Sequence, residues 1–201
     1  MADVTGIVLT GGRSSRMGQD KASLVLGGST LLERVVAALS AVADEVVIVR
    51  APEQALPLVT SSGSLVVVAD PIEGAGPLAG IATGLEAGSA PRALVVGVDH
   101  PFLRPSLLRL LSERVRTGAP WALPEFEGHP QPLCSGLSRD LLEGIRARLD
   151  GGERSPVGVA EVLGAVRIGE AEWRSADPDG LSFLDVDTPE EFAAAERRLQ
   201  R

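Results

Sequence analysis

The chain has 201 residues, 44% of them hydrophobic and 23% charged, which is close to an ordinary globular composition and far from that of a disordered chain. Its formal net charge of -8 repels nucleic acid and anionic lipid, so neither is an expected partner. The lone cysteine, Cys134, excludes an intramolecular disulfide and fits a reducing compartment, and no apolar run approaches the roughly 20 residues of a membrane span. The segment Met1-Ala2-Asp3-Val4-Thr5 has no basic residues ahead of its apolar stretch, so a cytoplasmic location without a signal peptide is expected. A chain of this length predicts one domain over residues 1–201.

Apolar runs of strand length alternate with stretches of helical period. Gly6 to Thr10 reads as a first buried strand ending in Gly11-Gly12. Leu31 to Val42 has helical spacing, with Ser29 or Thr30 as N-cap and Glu33 in the first turn. Glu45 to Val49 and Leu65 to Val68 read as the second and third strands, and Pro77 opens a helix through about Ala87. Ala93 to Val98 is a fourth strand, followed by Asp99 and a helix over about Pro105 to Arg116. Further on, Trp121-Ala122-Leu123, Pro132-Leu133-Cys134 and Val166-Arg167-Ile168 are short strand candidates. Arg139 to Leu149 and Pro156 to Leu163 are helices, and Phe183 to Asp187 reads as a strand that places Asp185 and Asp187 on one face. Thr188-Pro189-Glu190-Glu191 starts the last helix. Strands that are apolar without alternation need cover on both faces, which predicts a three-layer α/β/α domain around a mostly parallel sheet.

In open α/β sheets, ligands bind beyond the carboxyl ends of the strands. The first strand runs there into Leu9-Thr10-Gly11-Gly12-Arg13-Ser14-Ser15-Arg16-Met17-Gly18-Gln19-Asp20-Lys21. Glycines let backbone N–H groups close on an anion, and Arg16 and Lys21 add two cations, so the loop reads as a phosphate cradle. Lys21 is conspicuous as the only lysine beside 18 arginines; its compact charge suits phosphate oxygens in a tight loop. The spacing excludes a P-loop, because Gln19 and Asp20 separate Gly18 from the lysine.

This stretch resembles the signature of nucleotidyltransferases with a Rossmann-like, glycosyltransferase-A-type fold. Gly11-Gly12, Arg16-Met17-Gly18 and Asp20-Lys21 resemble most closely the molybdenum cofactor guanylyltransferase family. Asp70 with Gly76-Pro77-Leu78-Ala79-Gly80-Ile81, Asp99-His100-Pro101-Phe102-Leu103, Gly152-Glu153-Arg154 and Thr188-Pro189-Glu190-Glu191 follow in family order along nearly the whole chain.

The resemblance implies transfer of GMP from GTP to the phosphate of molybdopterin, giving molybdopterin guanine dinucleotide and pyrophosphate, with Mg²⁺ as cofactor. Its partners are then GTP and the molybdopterin cofactor, with a molybdoenzyme or a cofactor-biosynthesis protein as protein partner. Arg16, Lys21 and Asp99 become the catalytic residues. Leu9, Thr10, Gly11, Gly12, Lys21, Asp70, Gly76, Pro77, Leu78 and Asp99 bind nucleotide, and Asp99 and Asp187 hold the metal. Asp70 is a carboxylate able to accept the ring N–H and the exocyclic amine of guanine together. Three alternatives stay open at the level of residues: Asp99 as a turn aspartate, Asp70-Pro71 as a simple turn, and Asp187 as the cap of the helix that Pro189 opens. The family often has asparagines where Asp185 and Asp187 stand, and related cytidylyltransferases have aspartates, so a cytidylyltransferase for the same cofactor remains the alternative. A sugar-phosphate nucleotidyltransferase and a nucleotide-binding regulatory module without turnover are further readings. His100 and His129 lack partners at zinc-site spacing, Cys134 reads as a small core residue, and Trp121 and Trp173 read as packing residues. The stretch from Glu127 to Pro132 falls where the family has its pterin-side surface.

Overall fold

In the computed structural model, residues 2–11, 20–71 and 76–200 are described. Two expected site residues, Gly12 and Arg16, lie outside them. Strand β1 (Val4–Leu9) is followed by a 3-10 turn (Lys21–Ser23), the hairpin of β2 (Val25–Leu26) and β3 (Ser29–Thr30), and α1 (Leu31–Ser40). Next come β4 (Glu45–Arg50), β5 (Ser64–Ala69), α2 (Pro77–Ala87), β6 (Arg92–Gly97) and α3 (Pro105–Arg116). The remainder comprises β7 (Trp121–Phe126), β8 (His129–Pro130), β9 (Cys134–Ser138), α4 (Leu142–Asp150), α5 (Pro156–Val162), β10 (Val166–Ile168), α6 (Glu170–Trp173) and α7 (Pro189–Leu199).

Among the described residues the main sheet has the order β10-β7-β9-β6-β1-β4-β5, with β8 attached to β7. The β6-β1-β4-β5 half is parallel throughout. β9 runs antiparallel to both β6 and β7, and β10 is again parallel to β7. Helices cover both faces. Val8 joins α1 and α3 through Leu31, Val35, Leu107 and Leu111 on one side. Its neighbours Ile7 and Leu9 join α2, α4 and α5 through Leu78, Leu85, Ile145 and Val159 on the other. This alternation along one strand is the pleat of period two. Each such aliphatic side chain stabilises the fold by about 1.5–3 kcal/mol on burial.

Local chemistry explains the boundaries. Thr30 and Glu33 form a capping box at the start of α1, and Thr188 and Glu191 form one at α7. α2 lies so close to β1 that a Cβ on Gly84 would come within 2.4 Å of Ile7 Cγ2, so glycine is required at that crossing. At the opposite end of the strands from the site, the Glu45 carboxylate accepts hydrogen bonds from Thr5 Oγ1, Ser89 N and Oγ, and Ala90 N. Burial raises the Glu45 pKa, but these donors outweigh it and hold the carboxyl below its ordinary value. β5 terminates the sheet, and its Val66 and Val67 are exposed.

Three expected elements differ. Phe183 to Asp187 is not a strand: Leu181–Phe183 is a 3-10 turn, and among the described residues the segment after it joins the sheet only through Val186 N donating to Asp99 O at 3.0 Å. One such bond fixes the segment beside β6 without forming a ladder. The strand candidate at Pro132-Leu133-Cys134 begins only at Cys134, since proline has no N–H to donate. The helix expected from Arg139 starts as a 3-10 turn and becomes α-helical at Leu142.

Candidate active site

The carboxyl ends of β6, β1, β4 and β5 lie side by side and carry the chemistry-bearing residues into one edge. Asp99 follows β6, Thr10 and Gly11 follow β1, and Asp70 follows β5. Asp70 and Asp99 are separated by three strand spacings, roughly 14 Å. The expected site residues therefore fall at two places along the strand ends, Lys21, Asp99 and Asp187 beside β6 and Asp70 beyond β5, rather than at one point.

At the β6 end, the Lys21 ammonium lies between two carboxylates. Lys21 Nζ donates to Asp99 Oδ2 at 2.9 Å and also to Asp187 Oδ1. The lysine sits on the 3-10 turn that Asp20 caps by accepting from Ala22 N at 2.9 Å. Burial alone lowers the Lys21 pKa, yet hydrogen bonds and charge from Asp187 and Asp99 outweigh it and raise the pKa above its ordinary value. Burial raises Asp99, but the charges of His100 and Lys21 and the lysine hydrogen bond bring it net below the carboxylate norm. Asp185, on the rim, is raised by burial and then by the charges of Asp187 and Asp99.

Neighbours shape this cluster. A Cβ on Gly97 would lie 2.4 Å from Asp99 Oδ1, so glycine leaves the space into which the carboxylate folds back. His100, dismissed above as a zinc ligand, is buried with Nδ1 3.1 Å from the Ser182 carbonyl and Nε2 3.9 Å from Asp99 Oδ1. It thereby ties the turn before Asp185 and Asp187 to the end of β6. Periodicity carries no signal for such a contact.

At the β5 end, Asp70 N donates to Arg50 O at 2.8 Å, and its carboxylate lies near Gly80 on the first turns of α2, 3.8 Å from where a glycine Cβ would project. Gly76 precedes α2 with φ 82°, a left-handed conformation suited to glycine, and Pro77 takes the first helical position. Gly76 and Pro77 are exposed, but Leu78 is buried, as is Leu9. Those two leucine side chains belong to the core, so only their backbone can meet a ligand. Thr10 is buried too, its hydroxyl 2.9 Å from Gln54 Oε1 and 3.1 Å from the Val49 carbonyl.

The donor set suits a hard divalent cation. Asp99 and Asp187 both reach one ammonium, so their oxygens are close enough to share a cation. Among the described residues no three His, Cys, Asp or Glu side chains form a closed metal site. Mg²⁺ characteristically takes one or two carboxylates and fills its shell with water and substrate phosphate oxygens, so two aspartates fit it.

The chain has counterparts among known proteins. The sequence model of the MobA-like NTP transferase domain matches residues 6–168. The chain belongs to that family. It is 34% identical to a probable molybdenum cofactor guanylyltransferase of Chloroflexus aggregans, over 98% of this chain and 95% of the relative. It is 32% identical to a molybdenum cofactor guanylyltransferase of Desulfosudis oleivorans, over 100% of this chain and 98% of that one. The fold is similar to the crystal structure of molybdopterin-guanine dinucleotide biosynthesis protein A from Archaeoglobus fulgidus, with a TM-score of 0.81, 24% identity and 98% of both chains covered. The crystal structure of 2-C-methyl-D-erythritol 4-phosphate cytidylyltransferase from Thermus thermophilus has the same fold, with a TM-score of 0.71, 23% identity and coverage of 99% and 100%.

As a MobA-like transferase, the chain has a nucleotidyltransferase architecture, and several other features fall outside that chemistry. Cys134 is buried, and burial pushes its thiol up to about 12, which suits a core residue and not a nucleophile. Trp121 and Trp173 are buried, donating through Nε1 to Ser135 Oγ and to the Glu125 carbonyl, each at 2.9 Å. His129 is exposed at the start of β8, after the turn in which Glu127 has φ 50°. No helix among the described residues is long and apolar enough to cross a membrane.

Proposed function

We propose that the chain transfers a GMP unit from GTP to the terminal phosphate of molybdopterin, releasing pyrophosphate, with Mg²⁺ as the metal. The observation that carries this reading is the Lys21–Asp99–Asp187 cluster at the strand ends of a chain whose near full-length relatives are molybdenum cofactor guanylyltransferases. An oxygen of the acceptor phosphate attacks the α-phosphorus of GTP, forming the new P–O bond. The bond from that phosphorus to the oxygen bridging to the β-phosphorus breaks, and its electron pair leaves with pyrophosphate. The attacking phosphate is already ionised near neutral pH, so no side chain has to remove a proton.

Catalysis then consists of positioning and charge neutralisation. Asp99 and Asp187 would hold Mg²⁺, which neutralises phosphate charge when bound. Lys21 supplies a compact cation for the triphosphate and the departing pyrophosphate, and Arg16, Gly11 and Gly12 are the further residues assigned to phosphate binding. At the β5 end of the strand edge, Asp70 accepts the guanine ring N–H and exocyclic amine. Gly76, Pro77 and Leu78 present backbone to the base. The roughly 14 Å between the two aspartates suits a nucleotide lying along the strand ends.

The test is thermal unfolding with Mg²⁺ and, separately, GTP, CTP, UTP and ATP. A ligand at a hundred times its dissociation constant stabilises its protein by about 2.7 kcal/mol. A selective shift with GTP supports the reading. A selective shift with CTP transfers it to cytidylyl transfer, with Asp185 and Asp187 as the residues to examine.

A further inference from the structure

We infer that Gln54 is a positioning residue for the transfer site: its side-chain amide ties the end of β1 to the residue before Lys21 and so fixes the ammonium against Asp99. Gln54 lies in the loop after β4, away from every motif that marks the site in sequence. Its Oε1 accepts from Ala51 N at 3.1 Å and from Thr10 Oγ1 at 2.9 Å. Its Nε2 donates to the Thr10 carbonyl at 3.2 Å and to the Asp20 carboxylate, at 3.0 Å from Oδ1 and 2.8 Å from Oδ2. An amide offers two donors and one doubly accepting oxygen, and all of that capacity is engaged here. The partners also fix its orientation, since a flipped amide would set NH₂ against the Ala51 N–H and an oxygen against Asp20.

The link continues to the lysine. Asp20 uses Oδ1 to cap the turn Lys21–Ser23 through Ala22 N. A three-residue turn cannot hold itself, because nucleation fixes several dihedrals for a single hydrogen bond. Ala22 is buried in the core, and the turn is capped by Asp20, which Gln54 holds. The loop presenting Gln54 is itself pinned, with Arg50 Nη1 donating to the carbonyls of Ala51 at 2.9 Å, of Pro52, and of Gln54 at 3.4 Å. A continuous path of hydrogen bonds thus runs from the end of β1 through Gln54 and Asp20 to the turn whose lysine meets Asp99.

The inference rests on the guanylyltransferase reading, and the experiment separates the two. Lys21 is the only lysine in the chain, so acylation of its amine by an N-hydroxysuccinimide ester, followed by peptide mass spectrometry, reads its placement in the full-length protein without any substrate. An ammonium held between two carboxylates is shielded from the reagent. Gln54→Met should speed Lys21 labelling roughly tenfold, the ratio equivalent to 1.4 kcal/mol, with the melting temperature nearly unchanged. Gln54→Glu turns a carboxylate toward Asp20 and should speed labelling further. Adding Asp20→Asn to that variant restores a donor–acceptor pair and should return much of the protection. Unchanged labelling in both single variants overturns the inference, and so does faster labelling only in step with a fallen melting temperature. In parallel, GTP affinity is measured with Mg²⁺. Faster labelling of the variants, with wild-type protein that binds no GTP, keeps Gln54 as the residue that fixes Lys21 and removes the guanylyl-transfer reading. Where wild type binds GTP, Gln54→Met should weaken it about tenfold, and by less than about twofold in a Lys21→Met background. Equal loss in the two backgrounds overturns a role exerted through the lysine.

Discussion

Arg104 Nε lies 3.0 Å from Oδ1 of Asp177, whose carboxylate is fully buried. The other oxygen of Asp177 accepts from Ser182 N at 2.8 Å, and Ser182 Oγ accepts from Arg104 N at 2.9 Å. The ion pair and these two hydrogen bonds tie Arg104 to the turn that leads to Asp185 and Asp187. Removing the arginine strands a buried charge. Arg104→Leu should destabilise the fold by about 2–4 kcal/mol, below the full cost of a wholly buried pair because the guanidinium is partly solvated. Asp177→Asn keeps an acceptor for Ser182 N and should cost less. Urea unfolding of the two variants gives the comparison.

Asp99→Ala should reduce pyrophosphate release by about 10²–10³-fold, the range for loss of one preorganised electrostatic group. Circular dichroism should show the fold intact. Wild-type rates in this variant exclude Asp99 from the chemistry.

Lys21→Arg tests shape against charge. The guanidinium is planar and larger than an ammonium, and in the folded chain Nζ bridges Asp99 and Asp187. Activity should fall by at least about tenfold at unchanged net charge, read from initial rates at saturating GTP.

Gly97→Ala addresses the same carboxylate from beneath. The new Cβ would meet Asp99 Oδ1 at 2.4 Å and His100 Cδ2 at 3.2 Å. A carboxylate can rotate away, so stability should change by less than about 1.5 kcal/mol. Activity should fall severalfold, because Asp99 no longer lies against Lys21. Thermal unfolding and a rate assay on one preparation separate the two effects.

The pH dependence of stability has a defined window. Asp99 lies below its ordinary 3.8 in the folded chain, so its contribution is present above pH 3.8 and is lost as pH falls through the folded value. Lys21 lies above its ordinary 10.5, so its contribution is complete below pH 10.5 and is lost as pH rises through the folded value. The urea midpoint difference between wild type and Asp99→Asn should therefore shrink as pH falls below about 4 and as it rises above about 10. A difference that grows below pH 4 contradicts the assignment.

Much of this was legible in the sequence. Asp99 stands out because a charge stops an apolar run, and Pro77 and Thr188 mark helix starts through backbone chemistry that depends on a few adjacent residues. The β2–β3 hairpin shows in the sequence only as Gly27-Gly28, its two-residue turn with φ 62° and 86°, because its strands are too short to show alternation. Phe183 to Asp187 alternates like a strand but among the described residues has one backbone bond to the sheet, and alternation cannot report how many partners exist. The meeting of Lys21 with Asp99 and Asp187, 78 and 166 positions away, is made by topology and not by spacing. Gln54 carries no signal at all, since a glutamine in a polar loop is unremarkable until its four partners are seen.

The edge formed by β5 bears on how the protein behaves in a tube. Ser64-Leu65-Val66-Val67-Val68-Ala69 has no charge, proline or glycine, and two of its valines face solvent. Such an edge is a template for strand addition by another copy. What opposes it is mutual repulsion between copies of net charge -8. That repulsion vanishes near the sequence pI of 4.8 and is screened by salt. Turbidity should therefore appear on acidification well before the fold itself is lost, and a charged residue in place of Val67 should suppress it.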